Sequence, residues 1–291
     1  MFETLKNVFR VKEMRRKLLY LIWMIFVIRI GCQIPVPGVD SDFFKQWFSS
    51  NAGDAFNFFD AFTGGSFERM SIFALNITPY ITSSIIIQLL TIAIPALEEM
   101  QRDGEEGRKK MTAITRYVTV GLALFESIAM AIGFGRQGMI PNLDFFKGVV
   151  VVACLTAGSA MLMWLGERIT EKGVGNGISI VLTINIISRV PSDLTLLYEN
   201  FIKGKTIAKG TLAGLIIAAV ILLVVVLVLI LNGAERRIPV QYSKKMVGRK
   251  LMGGQSTNIP LKVNTAGVIP VIFASSIMSF PAVIAQLTGK G

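Results

Sequence analysis

Apolar residues fall along this chain in seven long runs, at about 18–34, 71–95, 112–134, 148–167, 177–190, 210–231 and 263–286. About 20 residues of α-helix cross the hydrocarbon core of a bilayer, so these runs have the length of tilted membrane spans. Two depart from the plain pattern: 177–190 is short, and 71–95 holds Pro79 and several polar residues. Met1–Lys17 is charged and amphipathic, and no small-residue cleavage site follows the first run, which predicts no cleaved leader. Two connecting stretches are more than turns. Residues 35–70 carry Pro35, Pro37, the pair Gly64-Gly65 and many phenylalanines, among them Phe44, Phe48, Phe56, Phe58, Phe59, Phe62 and Phe67. So many rings suit a solvated loop poorly, and a structured loop of this length is commonly functional. The pattern predicts a short helix over about 54–67, folded back toward the membrane and broken by the glycines. Residues 232–262 read as a basic loop, with Arg236, Arg237, Lys244, Lys245, Arg249 and Lys250 interleaved with Tyr242 and glycines. It is either a solvated turn region or a docking loop for a large acidic or nucleic-acid-bearing partner.

Composition agrees with the runs. Of 291 residues, 52% are apolar and 17% charged, where soluble domains carry about 25% charged residues. A multi-pass membrane protein fits; a soluble enzyme, a disordered chain and a coiled coil do not. Histidine is absent, which removes imidazole metal sites and His-based catalysis. Cys32 and Cys154 lie in apolar stretches and read as buried free thiols, not as a zinc site. The net charge of +11 becomes informative once it is placed. With the N-terminus in the cytoplasm, the cytoplasmic pieces hold 19 Lys and Arg and the outer pieces 9, so positive charge predicts that orientation. Attraction to anionic lipid accounts for part of the excess.

Few ionisable groups fall inside the spans: Arg29, Arg116, Glu126 and, at an edge, Glu167. A proton or ion pump normally needs a relay of such groups. Arg29 and Glu126 sit at similar depth and are candidates for an intramembrane pair. The hydroxyls of the second and seventh spans suit helix packing, but Asn76 and Gln88 need hydrogen-bond partners in an apolar medium; Asn185 is a further polar residue in the fifth span. Ile77 and Ile81, and Leu182 and Ile186, are four apart and share helix faces; Ile272 follows Pro270 by two. Stiff apolar side chains of this kind can form a dewetting constriction. Most such pairs simply meet lipid or a neighbouring helix, and spacing alone does not choose.

Five stretches together carry a resemblance: IPVPGVD (34–40), SIFALNITPYITSSIIIQLL (71–90), EEGRKK with TRY (105–117), MWLGERITEKGVGNGIS (163–179) and QSTNIPLKVNTAGVIPVIFASSI (255–277). In order and spacing the chain resembles the SecY family, the protein-conducting channel of the general secretion pathway. The resemblance implies an all-α polytopic helix bundle, an inverted-repeat clamshell of ten spans, here truncated after the seventh. Residues 1–190 would be the N-terminal half, with a plug segment at about 54–70, and 191–291 the start of the C-terminal half. It implies a plug that includes Asn57, Phe58, Phe59, Phe62, Gly64, Gly65 and Phe67. Ile77, Ile81, Leu182, Ile186 and Ile272 would form five positions of the pore ring. Thr82, Ser83, Gln88, Asn264, Ser275, Ser276 and Phe280 would line a lateral gate, and the basic loop would bind partners. The implied partners are the small membrane subunits SecE and SecG, the SecA motor ATPase, the ribosome through its RNA, signal sequences, unfolded polypeptide and anionic lipids, at a bacterial plasma membrane. No cofactor and no catalysis are expected: GVGNG (173–177) reads as a turn into a helix, not as a phosphate loop. A secondary transporter would need midplane carboxylates, and an intramembrane protease would need motifs such as HExxH that are missing.

Overall fold

The computed structural model describes residues 10–40, 43–44, 46, 60–136, 138, 140, 144–203, 207–241, 245–247, 250–252, 256–265, 267, 270–271 and 274. The protein is mostly helical. The described residues of 1–191 include the helices α1 Lys12–Gly31, α2 Thr78–Ala93, α3 Pro95–Arg102, α4 Gly104–Arg136, α5 Phe145–Lys172 and α6 Gly177–Phe201, which runs on past Pro191. Residues 192–271 form a second compact unit with α7 Ile207–Gly233 and strands β1 Glu235–Gln241, β2 Lys245–Val247, β3 Lys250–Met252 and β4 Ser256–Lys262.

Among the described residues, four helices are long and apolar enough to cross a membrane: α4, α5, α6 and the 210–233 part of α7. The bent pair α2 and α3 makes a fifth if it is one span. The run at 263–286 lies largely outside the described residues. α1 covers the first run, but Arg15, Arg16, Lys17 and Arg29 dilute its apolar surface.

Two runs differ from expectation. The second, 71–95, is not one helix. Residues 72–77 are in turns, and α2 starts at Thr78 with Pro79 in its first turn, where a missing N–H costs nothing. It stops at Ile94, which is extended (φ −114°, ψ 111°) as a residue before proline must be. Pro95 then opens α3 at 104° to α2. The fifth run, 177–190, is the first half of a 25-residue helix, because the polar turn after it continues α-helical through Pro191.

α4 packs against α5 and α2, α3 folds onto α4, and α1 lies on α5. Two cores result. One joins Phe44, Phe67, Met70, Phe134, Val151 and Leu155, where α4 ends and α5 begins. The other joins Ile28, Phe73, Leu162, Leu165, Ile169 and Val181. α5 comes close to the 71–77 segment because Gly158 has no side chain: a Cβ there would lie 2.0 Å from the Ile72 carbonyl oxygen. Ser83, Thr91, Thr115, Thr119 and Ser127 are buried. Each donates its hydroxyl to the carbonyl four residues back, at 2.6–2.9 Å. α7 is different: none of its apolar window is buried by the chain.

The basic stretch is not an irregular loop. β1 and β4 pair antiparallel from Glu235↔Lys262 to Gln241↔Ser256, and β2 and β3 pair antiparallel between them. Pro239 and Pro260 are tolerated because a two-stranded ribbon has two free edges.

Candidate functional site

The segment from Asp60 to Ile77 is held in a shape that no regular helix would give it. Residues 60–63 make one helical turn, and Gly64 and Gly65 follow with φ of +68° and +78°. Asp60 is fully buried, and its Oδ1 accepts the Glu68 N–H at 2.9 Å and the Thr63 hydroxyl at 3.2 Å, which closes the turn. Beyond the glycines the chain is anchored. Phe67 packs edge-on against Phe44 (5.8 Å between centroids), and Phe44 packs edge-on against Phe134 (5.0 Å). The Val36 N–H donates to Met70 O and the Ile72 N–H to Ile34 O, both at 2.9 Å. Phe44 and Phe67 therefore serve packing, as the density of rings predicts, whereas Phe43 is exposed. The break at Gly64-Gly65 is where the sequence places it. Asn57, Phe58 and Phe59 lie outside the described residues.

Five polar side chains tie this segment to α6 and α1. Arg189 of α6 forms an ion pair with Asp60. Asn76, at φ +52°, donates from Nδ2 to the Phe62 carbonyl at 2.9 Å. Its Oδ1 accepts from Asn185 Nδ2 at 3.0 Å. Arg29 Nη1 donates in turn to Asn185 Oδ1 at 3.4 Å. Gly64 lies so close to α6 that a Cβ on it would be 2.6 Å from Asn185 O. Asn76 thus finds a partner in Asn185, whereas Gln88 is exposed, and Arg29 goes to Asn185, not to Glu126. Arg116, on α4, pairs with Glu167 on α5 at 2.9 Å. The sequence reading missed Asp60 and Arg189. The available signal was one acid in an aromatic loop and one base at the edge of an apolar run.

The apolar ring candidates flank these amides: Ile77 follows Asn76, and Ile186 follows Asn185. Ile77 is fully buried, with its Cδ1 against Gly166 of α5. Ile81 and Leu182 are half-buried, and Ile186 is 43% exposed. Ile272 lies outside the described residues. Of the gate candidates, Thr82 and Ser83 are buried and Gln88 is exposed. Asn264 caps a turn, accepting the Gly267 N–H at 3.1 Å, while Ser275, Ser276 and Phe280 lie outside the described residues.

In the second unit, Arg236 and Arg237 are exposed on β1, opposite Leu261 and Pro260. Lys245 and Lys250 belong to the β2–β3 hairpin, opposite Met252 and Val247; Lys244 and Arg249 lie outside the described residues. The hydrogen-bonded ribbon spaces these cations along a frame. Among the described residues, no group of three or more His, Cys, Asp or Glu could hold a metal ion.

Comparison with known proteins agrees with this architecture. The model of the SecY family matches residues 71–290. The protein translocase subunit SecY of Halalkalibacterium halodurans is 45% identical over 298 residues, covering 100% of this chain and 68% of that protein. A solved protein-conducting channel aligns with a TM-score of 0.58 at 18% identity, over 94% of this chain and 58% of that one. A SecY protein whose plug domain stabilises the closed state of its translocation channel aligns with a TM-score of 0.55 at 19% identity, again over 94% and 58%. The chain thus spans about two thirds of the length of that relative and less of the solved channels. It has their helical membrane fold, and with three quarters of its length under the family model it belongs to the SecY family.

Proposed function

We propose that this chain is the central channel subunit of a Sec protein translocase, a passive conduit for unfolded secretory polypeptide and a lateral entry route for membrane proteins. The observation that carries the reading is the seat of the 60–70 segment. It is the resemblance's plug, and it is tied by Asn76 and Asn185 directly beside Ile77 and Ile186. A collar of branched apolar side chains dewets when empty and so limits ion leak. The plug covers the collar until a substrate arrives. A signal sequence or transmembrane segment leaves sideways by partitioning between channel and lipid, through a gate at Thr82, Ser83, Gln88 and the face around Asn264, Ser275, Ser276 and Phe280.

In this reading residues 1–190 and 191–291 belong to the two halves of the clamshell. The N-terminus is cytoplasmic at a bacterial plasma membrane, and the chain works as a conduit without bond chemistry of its own. Energy comes from the SecA motor ATPase or the ribosome, which dock on the cationic ribbon of 232–262; ribosomal RNA is a polyanion that suits its exposed arginines. SecE and SecG are the membrane partners, and anionic lipid lies against the cytoplasmic charges.

The test uses the chain in its channel complex. Ile81 and Ile186 are the positions to change, since both have free surface. Ile81→Asn and Ile186→Asn are expected to raise ion conductance in planar bilayers and to relax signal-sequence selectivity. Unchanged conductance and selectivity would remove the ring assignment. Absence of signal-dependent translocation by the unaltered complex in vesicles would remove the channel reading.

A further inference from the structure

We propose that Asp60 and Arg189 form a polar latch, specific to the residues of this chain, that sets how readily the plug leaves α6. The proposal deepens the channel reading and rests on it. Three observations place the parts. Gly64 and Gly65 adopt left-handed backbone (φ +68° and +78°), so the chain direction changes there without a side chain to resist it. On the far side Phe67 is fixed in the aromatic core with Phe44 and Phe134. On the near side the 60–63 turn is tied across by the Arg189–Asp60 ion pair and the Asn76 bond to Phe62 O. The arrangement is an anchor, a hinge and a catch, in that order along the chain.

The catch is strong in one state and weak in the other. Asp60 is fully buried and the Arg189 side chain is 19% exposed. Charges so placed are stabilised by each other, and removing one leaves the other buried without its counter-charge. If the turn swings out on Gly64-Gly65, both charges reach water or headgroups and the penalty disappears. A neutral substitution of either partner therefore favours the displaced plug. Asn76 supplies the second tie, and its own partner Asn185 is held by Arg29. The amide chain thus positions α6 for the ion pair.

The test uses the channel complex carrying this chain, with Cys32→Ala and Cys154→Ala as background and Ala61→Cys as reporter. Ala61 is half-buried on the 60–63 turn. Two measurements run in parallel: maleimide labelling of position 61 in membranes without substrate, and resting conductance in planar bilayers. Asp60→Asn and Arg189→Gln are each expected to raise the labelling rate and the open fraction by about tenfold or more. Arg189→Lys, which keeps a positive charge opposite Asp60 and leaves the turn intact, is expected to stay close to the unaltered level. Labelling unchanged by Arg189→Gln in an assembled complex overturns the latch. If Asp60→Asn does not assemble, because Asp60 also caps the Glu68 N–H, Arg189→Gln decides alone; it leaves that cap intact. Labelling that rises with no change in conductance supports the latch and counts against the channel reading, so the two fail separately. Arg189→Lys opening the plug as far as Arg189→Gln does would overturn the charge pairing as its cause.

Discussion

Replacing Gly158 by alanine is the sharpest structural perturbation available in this chain. An added Cβ would sit 2.0 Å from the Ile72 carbonyl oxygen, where ordinary contact begins at 3.4 Å, so α5 and the 71–77 segment must separate by about 1.4 Å. The obstacle is backbone, which no rotamer change removes. Overpacking of a tight contact costs about 1–3 kcal/mol, and a rigid obstacle puts Gly158→Ala at about 3 kcal/mol, roughly a hundredfold in the folding equilibrium. Gly148 is the matched control on the same helix: an added Cβ meets nothing within 4 Å. Gly148→Ala should be neutral or stabilising by up to about 1 kcal/mol, since alanine is the better helix former. The assay is thermal unfolding of the detergent-solubilised complex, with both variants at equal lipid content. Trimming Ile72 to alanine should not rescue Gly158→Ala, because the main clash is with the carbonyl. Equal melting of the two glycine variants would refute the close approach of α5 to the 71–77 segment.

Phe134→Ala should destabilise the protein by about 3–5 kcal/mol, since it removes the ring that Phe44 and Phe67 both meet; proteolysis in detergent would read the loss. Arg116→Gln or Glu167→Gln should each cost about 0.2–1 kcal/mol, and the exchange Arg116→Glu with Glu167→Arg should return most of it in a thermal double-mutant cycle. Arg236→Glu with Arg237→Glu should weaken ribosome binding in cosedimentation and flatten its salt dependence by about one unit of slope per lost phosphate contact, with membrane insertion unchanged. Binding as tight and as salt-sensitive as before would exclude that face of β1.

Span length and hydropathy are local, additive properties, so α4, α5, α6 and α7 were legible from composition in a window. The end of α2 was also written in the chain, since the apolar run closes at Pro95, but the sharp turn into a further helix was not. The need of Asn76 for a partner, but not the choice of Asn185, followed from the cost of a bare amide in an apolar medium. Their meeting did not, because they are 109 residues apart and spacing along the chain carries no information about that pairing. Asp60 and Arg189 were hidden for the same reason. The β ribbon was missed because Pro239 and Pro260 argue against strands in general and only a free edge tolerates them. The exposed and buried faces of Ile77 and Ile186 were beyond helical periodicity, since Ile77 precedes the first residue of α2 and packs by the fold of the turns before it.

The hydroxyls of Ser83, Thr91, Thr115 and Thr119 are each spent inside their own helix. Ser127 does the same, although it also accepts from Thr156 across to α5 at 3.1 Å. A buried hydroxyl satisfied in this way makes no directional claim on the helix beside it. Neighbouring helices are then held by shape, and a small rotation or slide changes contact area without stranding a donor. Polar grip is concentrated in a few side chains, chiefly Arg29, Asn76, Asn185, Asp60 with Arg189, and Arg116 with Glu167. Wide smooth seams and a handful of discrete catches make a bundle whose resistance to motion can be tuned one residue at a time.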